Sequence, residues 1–584
     1  MIRPLTALCV LLTVTLVAQQ PQQPSRDTSA QQNQKDAPPT PTGRITGRVV
    51  AGDSGRPIKR ARVFINAAEL PGGRGALTDD QGVFDLTELP AGRYTLTVSK
   101  SGFVSLAYGQ RRPLQAGTPL QLLDGQQLKG VDFRLPRGSV IAGRIFDEDG
   151  EPMAGVQVRV MRYQYLQGER RLSPAGNGQT DDKGQFRVWG LMPGEYYVNA
   201  IARNFNFGGR GGGPFGGFGG GGRGGRGGPP ATQPTSGDDE ESLSYAPTYF
   251  PGVPSVVEAK PINVGLSEEV TDINFNMQLV RAARIAGTVT NPDGTPTSSG
   301  NVNLMTDGTI ARGQMGANYG SRIDWDGSFE IANVPPGRYV LRARGTDTEP
   351  PQFASQPISV NGQDVDGVTV ILAAGAHFAG TVTMLPGSTP PPDITNIRIT
   401  APSLDQDSFG PQQNARVDRD GKFTLDGVAA GTHLIRPSGG LRGWVLKSVT
   451  IDGRDVTDTP ITLRSGQSVT NVAVTFTDKL SEITGTVTDS QGNPVPDFTV
   501  LAFSTDPSLW RAQSRQIMTA RPDQTGKYRI RGLPPGDYYL ATVDPTEQGE
   551  WFEPAYLDEH RAGASRIAIS EGDSKTHDFK VTLR

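Results

Sequence analysis

The chain has 584 residues, 35% of them hydrophobic, which indicates several folded domains rather than one. Its 57 Lys and Arg residues nearly balance its 60 Asp and Glu residues, so no overall charge favours nucleic acid or an anionic membrane surface. The one cysteine, Cys9, excludes disulfides and cysteine-based metal sites from the rest of the chain.

The beginning of the chain predicts a secretory signal peptide over residues 1–18. One basic residue precedes an apolar run from Leu5 to Val17, and the composition becomes rich in Gln and Pro directly after Ala18, so we expect cleavage near Ala18. Residues 19–42 have too few apolar side chains to form a core and are interpreted as a disordered tether. No later segment is long and apolar enough for a transmembrane helix. The mature chain is therefore expected to be secreted or periplasmic, with association at the outer membrane left open.

After the tether, the chain repeats one motif five times. In each copy an Asp lies three residues before a Gly. An aromatic residue lies two positions after that Gly, and a second Gly lies ten positions after the first. The copies begin at Asp79, Asp181, Asp324, Asp418 and Asp523. We interpret Asp-x-x-Gly as a hairpin turn in which Asp caps backbone N–H groups and Gly adopts a positive φ. A tandem array favours repeated architecture over a unique catalytic centre.

Alternating apolar residues around this motif predict the strands of each repeat. The aromatic residue after the first Gly is expected to anchor the core: Phe84, Phe186, Phe329, Phe423 and Tyr528. The strand after the second Gly carries an aromatic ring in register in every copy: Tyr94, Tyr196, Tyr339, Tyr538 and, in the fourth copy, His433. We interpret the tyrosines as structural, like tyrosine corners, with a ligand-binding role as the alternative.

The regular strand spacing, without helical periodicity, predicts an all-β fold of five tandem antiparallel β-sandwiches of roughly seven strands each. The predicted domain ranges are 43–136, 137–280, 281–374, 375–479 and 480–584. A Gly-rich insert at residues 205–245 interrupts the second domain. We interpret the insert as a disordered surface loop, and RNA binding by its Gly-Arg run is the alternative.

The strand openings and turns together resemble carboxypeptidase regulatory-like domains, also called transthyretin-like or prealbumin-like domains. The resemblance lies in the pattern G-x-V…D-x-x-G-x-P…D-x-x-G-x-F…L-P-P-G-x-Y and covers nearly everything from Gly43 to Arg584. It implies small seven-stranded sandwiches that bind, space or support other domains in carboxypeptidases, outer-membrane receptors, adhesins and starch-binding-like modules. The segment YAPTYFPGVPSVVEAKPINV is also similar to multi-copy secreted proteins of Gram-negative environmental bacteria.

The sequence offers little catalytic chemistry. The histidines occur outside any zinc-binding motif: His377, His433, His560 and His577. No Gly-x-Ser-x-Gly elbow provides a hydrolase nucleophile. We therefore predict no catalytic residues, no cofactor and no enzyme activity, with a hydrolase assembled between domains as an alternative.

Acidic turns give weak candidates for calcium, which prefers several oxygen ligands. These candidates are Asp324, Asp326, Asp418 and Asp420. The turns lack the further acids of a complete calcium loop, so capping of the turn by its own Asp is the alternative, and no metal site is predicted.

Tryptophans give the sharpest binding hypothesis. Trp325 lies at a predicted turn tip, and Trp510 and Trp551 lie in longer segments of the last domain. Exposed indoles can stack on sugar rings, so these three are the predicted carbohydrate-binding residues; packing of Trp510 and Trp551 under loops is the alternative. Trp189 is expected in the core or on the sheet surface.

The sequence therefore predicts a non-catalytic rod of five domains that binds a polysaccharide or a cell-surface protein. A purely structural spacer or a protein–protein adhesion module is the alternative. No nucleic-acid partner is predicted. Because the binding hypothesis rests on likeness of fold, it names no particular ligand.

Overall fold

The computed structural model describes residues 42–110, 115–166, 169–202, 243–306, 319–405, 413–439, 441, 443–545 and 547–582. The predicted signal peptide, almost all of the predicted tether and most of the Gly-rich insert lie outside these residues. Within them the fold is all-β and built from many separate sheets, which confirms the predicted fold class. None of the helices in these ranges has the length and apolar character required to span a membrane.

The first segment, residues 43–136, forms two sheets around one buried cluster. Its strands are β1 (Gly43–Ala51), β2 (Arg62–Ala67), β3 (Leu70–Leu77), β4 (Val83–Leu89), β5 (Gly92–Ser99), β6 (Leu106–Ala107), β7 (Leu120–Leu122), β8 (Gln127–Leu128) and β9 (Phe133–Leu135). One sheet has the order β4-β1-β8 with β9 also on β1, and the other has the order β3-β2-β5-β6 with β7 on β5. Alternate residues of β4 and β5 are buried, as the apolar pattern predicts.

The second segment, residues 137–280, repeats this plan with longer central strands. Its strands are β10 (Ser139–Phe146), β11 (Gln157–Leu166), β12 (Glu169–Gln179), β13 (Gln185–Leu191), β14 (Gly194–Ile201), β15 (Leu243–Ala246), β16 (Thr248–Tyr249), β17 (Ile262–Val264), β18 (Glu269–Val270), β19 (Phe275–Asn276) and β20 (Gln278–Arg281). The sheets have the orders β13-β10-β18 and β12-β11-β14-β16, and β15 pairs with β20.

The third segment, residues 281–374, is the simplest. Its strands are β21 (Ala283–Thr290), β22 (Gly300–Thr306), β23 (Tyr319–Arg322), β24 (Ser328–Val334), β25 (Gly337–Gly345), β26 (Gln352–Val360) and β27 (Val365–Ile371). They form sheets of order β24-β21-β27 and β23-β22-β25-β26.

The fourth segment, residues 375–479, extends one sheet at the expense of the other. Its strands are β28 (Ala376–Met384), β29 (Arg398–Thr400), β30 (Asn414–Arg416), β31 (Lys422–Val428), β32 (Gly431–His433), β33 (Arg436–Ser438), β34 (Val445–Ile451), β35 (Arg454–Asp455), β36 (Ile461–Leu463) and β37 (Ser468–Thr477). The large sheet has the order β31-β28-β37-β34-β35. The smaller sheets are β30-β29-β33 and β32-β36, and Ile394–Asn396 form a 3₁₀ turn.

The fifth segment, residues 480–584, adds short helices to its two sheets. Its strands are β38 (Glu482–Thr488), β39 (Thr499–Ser504), β40 (Ile517–Ala520), β41 (Lys527–Arg531), β42 (Gly536–Val543), β43 (Ser565–Ile569), β44 (Ser574–Thr576) and β45 (Phe579–Lys580). Its helices are the 3₁₀ turns Pro507–Leu509 and Glu550–Phe552 and the helix α1 (Pro554–Arg561). The sheets have the orders β41-β38-β44 and β40-β39-β42-β43.

The opening strand of each segment pairs on one side with a parallel strand from the end of that segment. This parallel pairing adds to the antiparallel pairs that the sequence predicts. The parallel pairing also explains why each opening strand carries a Gly. A Cβ at that position would overlap a backbone carbonyl near the end of the same segment. The pairs are Gly47 with Val131, Gly143 with Ile273, Gly287 with Val368, Gly380 with Val472 and Gly485 with His577.

Large clusters of buried hydrophobic residues each draw on a single predicted domain range. The predicted anchors belong to them, since Phe84 is 1% exposed and Tyr528 is 2% exposed. Each segment therefore has its own core, while the division into five domains at the stated boundaries stays a prediction.

The fifth segment packs against the first, although about 400 residues separate the contacting side chains. Arg521, whose side chain is 5% exposed, donates hydrogen bonds to the carbonyls of Gly109 and Ala116. Gln524 and the backbone of Gln121 exchange two hydrogen bonds of 2.9 Å. The predicted rod of five domains is therefore wrong, because the chain turns back so that its last segment meets its first.

The fifth segment also contacts the fourth through charged side chains, most of them partly buried. Asp458 accepts two hydrogen bonds from Arg515, at 3.0 and 2.7 Å, and one from Arg436 at 3.3 Å. Burial raises the pKa of Asp458, but the two guanidinium groups outweigh burial and bring the pKa below its ordinary value. Lys447 pairs with Glu571 at 2.8 Å in the same contact.

Candidate functional site

The repeated turns are held by their own Asp side chains in four of the five copies. Asp79 accepts hydrogen bonds from the backbone N–H groups of Gln81 and Val83, at 2.9 and 2.7 Å. The same pattern recurs at Asp181, Asp418 and Asp523. The Gly of each turn has a positive φ, from 67° at Gly184 to 84° at Gly327, as the motif predicts.

The calcium candidates lie in these turns. Asp418 accepts from the backbone N–H groups of Asp420 and Lys422, and Asp326 accepts from the N–H and hydroxyl of Ser328 at 3.0 and 2.6 Å. The hydroxyl and the N–H lower the pKa of Asp326. Among the residues that the structure describes, no three His, Cys, Asp or Glu side chains lie close enough to share a metal ion. These contacts favour turn capping, and calcium binding at these positions stays untested.

Trp325 lies in the turn between β23 and β24 and is 84% exposed. The turn is closed by hydrogen bonds of 2.9 Å from the Asp324 N–H to the Ser328 carbonyl and from the Gly327 N–H to the Asp324 carbonyl. A short hydrogen-bonded turn therefore presents the indole to solvent. This is the geometry that a stacking platform requires, since a planar ring must be reachable by a flat apolar ligand face.

Trp510 is buried, in contrast to the surface position that ligand stacking requires. It is 6% exposed, its Nε1 donates to the Ser504 carbonyl at 2.7 Å, and its ring contacts Phe503 edge-on with centroids 5.6 Å apart. The indole is thus satisfied inside the fifth segment. The geometry agrees with packing under a loop and removes Trp510 as a ligand platform.

Trp551 occupies an intermediate position. It lies in the 3₁₀ turn Glu550–Phe552 and is partly buried against the cluster that contains Trp510. Its ring lies 6.4 Å from that of Phe552. Trp551 therefore supports the packing of α1 onto the sheet, and its role in binding stays a prediction.

Trp189 is a further exposed indole, outside the three predicted carbohydrate-binding residues. It lies on β13 and is 57% exposed, while Phe186 and Val188 point into the core. The alternation along β13 places residue 189 on the face opposite Phe186 and Val188. The structure therefore supports sheet surface, one of the two expected positions.

The tyrosines after the second Gly form corners, as the sequence predicts. Their hydroxyls donate to the carbonyl four residues earlier: Tyr94 to Pro90, Tyr196 to Met192, Tyr339 to Pro335 and Tyr538 to Pro534. Burial raises the pKa of Tyr339 to about 12. These rings are structural, because both the ring and the hydroxyl are used within the fold.

Each histidine makes its own contact, with different residues of the fold. His377 pairs with Asp426 at 2.5 Å, and His560 stacks on Tyr556 with centroids 4.4 Å apart. His433 is 2% exposed, and its Nδ1 lies 2.9 Å from the Ala401 carbonyl. The His577 ring contacts Phe579 edge-on, with centroids 4.7 Å apart. These contacts lie within the fold, and the absence of enzyme activity stays a prediction.

A polar cleft lies where the first, second and fifth segments meet. It consists of two adjoining cavities, of about 830 and 540 Å³, which share Gln115, Asp544 and Pro545 in their walls. The Gln115 side chain donates to the Pro545 carbonyl at 2.9 Å. No sequence pattern predicts this cleft, because its walls come from distant parts of the chain and share no local motif.

Charged side chains of both signs line the smaller cavity. Arg162, whose side chain is only 10% exposed, forms an ion pair with Glu547 at 2.9 Å. Arg170 stacks over the ring of Tyr163, 4.4 Å from its centroid. Burial raises the pKa of Glu550 above its ordinary value.

Comparison with known proteins identifies a domain class at two places. The sequence profile of the Carboxypeptidase regulatory-like domain matches residues 44–136 and 482–582, close to the first and fifth predicted domains. The chain therefore contains this domain in two regions. No curated protein sequence matches the chain.

Several solved structures are similar to parts of the chain at low scores. The Bacillus anthracis TIE protein is 11% identical, with 75% of this chain and 73% of that chain covered and a TM-score of 0.15. A streptococcal ancillary pilin is 12% identical; the match covers 56% of this chain and 98% of the pilin, with a TM-score of 0.19. The major pilin subunit BcpA of Bacillus cereus is 11% identical; the match covers 56% of this chain and 99% of BcpA, with a TM-score of 0.13. Scores this low carry no inference about the function of this chain.

Proposed function

We propose that this chain is a non-catalytic, extracytoplasmic binding and scaffold protein whose ligand is a polysaccharide at a cell surface. The observation that carries the proposal is Trp325, which a hydrogen-bonded turn holds 84% exposed. Burying a tryptophan against a sugar ring removes a large apolar area from water and so favours binding. The apolar start of the sequence supports export from the cytoplasm.

The repeated architecture supports the scaffold part of the proposal. The segments have separate cores. The recurring Asp and Tyr side chains bond within turns and corners, and the recurring Gly residues give the turns their positive φ. Repetition of structural side chains supports a framework that positions a binding surface. A spacer or protein–protein adhesion module remains the second candidate, favoured by the same repetition.

The proposal is tested by binding of residues 19–584 to insoluble cellulose, chitin, starch and xylan. We expect saturable binding to at least one of them, about tenfold or more weaker in Trp325→Ala. Trp189→Ala is the matched control, since it removes another exposed indole, in the second segment. Failure to bind any polysaccharide would favour the spacer or adhesion role, and equal losses in the two variants would overturn Trp325 as the binding platform.

A further inference from the structure

The cleft between the first, second and fifth segments has the dimensions of a ligand site. Its two cavities, of about 830 and 540 Å³, adjoin each other at a junction of segments. Small-molecule sites are commonly clefts of about 300–1,000 Å³ and often lie between domains. The walls are fixed by direct bonds, including those from Gln115 to Pro545 and from Arg162 to Glu547.

The walls of the larger cavity are rich in groups that bind hydroxyls. Lys580 supplies donors, Asp544 and Glu559 supply acceptors, and the Thr542 hydroxyl can do both. Phe498 adds an apolar surface. An anionic ligand would meet these carboxylates, and an apolar ligand would remove water from charges without replacing their hydrogen bonds.

The smaller cavity contains a buried donor with unused capacity. Arg162 is nine-tenths buried and lines this cavity, and its Nε lacks a hydrogen-bond partner among the described residues. Buried polar atoms are nearly always paired with protein, water or ligand. The ion pair to Glu547 fixes the Arg162 guanidinium group in the wall of the cavity, while the Nε itself is covered by protein atoms.

We propose that the cleft binds a neutral oligosaccharide, whose hydroxyl groups both donate and accept hydrogen bonds. The inference rests on the proposed function and deepens it by adding a second site, made of residues other than Trp325. Because three segments supply its walls, the site exists only when the fifth segment is docked on the first two.

The test is calorimetric titration of the full mature chain with maltohexaose, cellohexaose, chitohexaose and xylohexaose. The cleft variant Asp544→Ala/Lys580→Ala removes two exposed side chains of opposite charge from the wall. Its matched control is Asp80→Ala/Lys59→Ala, an exposed pair 3.9 Å apart outside the cleft. We expect one hexaose to bind the wild-type chain, the control and Trp325→Ala with the same affinity. It should bind the cleft variant about tenfold or more weakly than the wild-type chain.

The contradictory outcomes separate the two proposals. Unchanged affinity in the cleft variant, or loss of hexaose binding in Trp325→Ala alone, would overturn the cleft site while leaving polysaccharide binding intact. Failure of every hexaose to bind, with Trp325-dependent binding to insoluble polysaccharide retained, would also overturn the cleft site alone. Absence of binding in both assays would overturn both proposals.

Discussion

The fourth copy of the repeat shows how one residue changes a local network. In the other copies a tyrosine hydroxyl donates back to a carbonyl four residues earlier, whereas His433 contacts the Ala401 carbonyl from a different loop. The imidazole is shorter than a phenol and carries its polar atoms in the ring. At the residue scale, the corner therefore depends on the phenol hydroxyl, and the aromatic ring alone would not reproduce it.

Removal of one corner hydroxyl tests this role. We expect Tyr339→Phe to lower stability by about 1–2 kcal/mol, because the Pro335 carbonyl would stay buried without its 2.9 Å hydrogen bond. Calorimetric unfolding of the full chain would measure the change. Tyr197→Phe is the control, since its hydroxyl bonds to Glu195 in an exposed position. Equal effects in both variants would contradict a special role for the corner.

The same side chain predicts a response to alkaline pH. Burial raises the pKa of Tyr339 to about 12, above the value of about 10 for a tyrosine in the unfolded chain. Its contribution to stability is therefore complete below about pH 10 and is lost as pH rises towards 12. Melting temperatures measured from pH 8 to 12 should fall less steeply in Tyr339→Phe than in the wild-type chain. Parallel curves would show that other groups control alkaline unfolding.

At the scale of elements, the opening strand lies between an antiparallel and a parallel neighbour in one sheet of each segment. β1 lies between antiparallel β4 and parallel β8 and β9, and Gly47 allows the close approach on the parallel side. The repeated Gly in the opening strands thus reflects contact between backbones. A larger residue would force the last strand of the segment away from the first.

A pair of glycine variants tests that explanation. Gly47→Ala is expected to destabilise the first segment by about 1–3 kcal/mol, since its Cβ would overlap the Val131 carbonyl. Gly75→Ala in β3 is the control, because the nearest atom to its added Cβ is 3.6 Å away. Urea denaturation of the full chain gives both values. Similar stability of the two variants would contradict the close-approach explanation.

At the scale of the whole molecule, the chain closes on itself. The contact between the fifth and first segments centres on Arg521, which is buried and donates to two carbonyls of the first segment. A buried guanidinium group requires such acceptors, because its charge is costly to remove from water. The closed arrangement also brings together the walls of the polar cleft.

Substitution of Arg521 should weaken this closure. Hydrogen bonds to charged groups contribute about 1.5–3 kcal/mol each, so Arg521→Ala is expected to raise the population of open molecules about tenfold or more. Small-angle X-ray scattering would then show a larger radius of gyration. Arg561→Ala is the control, because Arg561 is half exposed and forms its ion pair, at 3.2 Å, with Asp558 of its own helix. An unchanged radius would show that the remaining contacts suffice for closure.

The sequence by itself determined the all-β class, the turns and the buried faces of the strands, because these depend on neighbours within a few residues. An Asp caps the turn that follows it, a Gly permits a positive φ, and alternation places Phe84 inside. The exposed position of Trp325 followed from the same local rules. Only the tertiary structure decided the burial of Trp510, the parallel pairing of the opening strands, the docking through Arg521 and the cleft. These features depend on contacts between residues far apart in the chain, which no local pattern of side chains records.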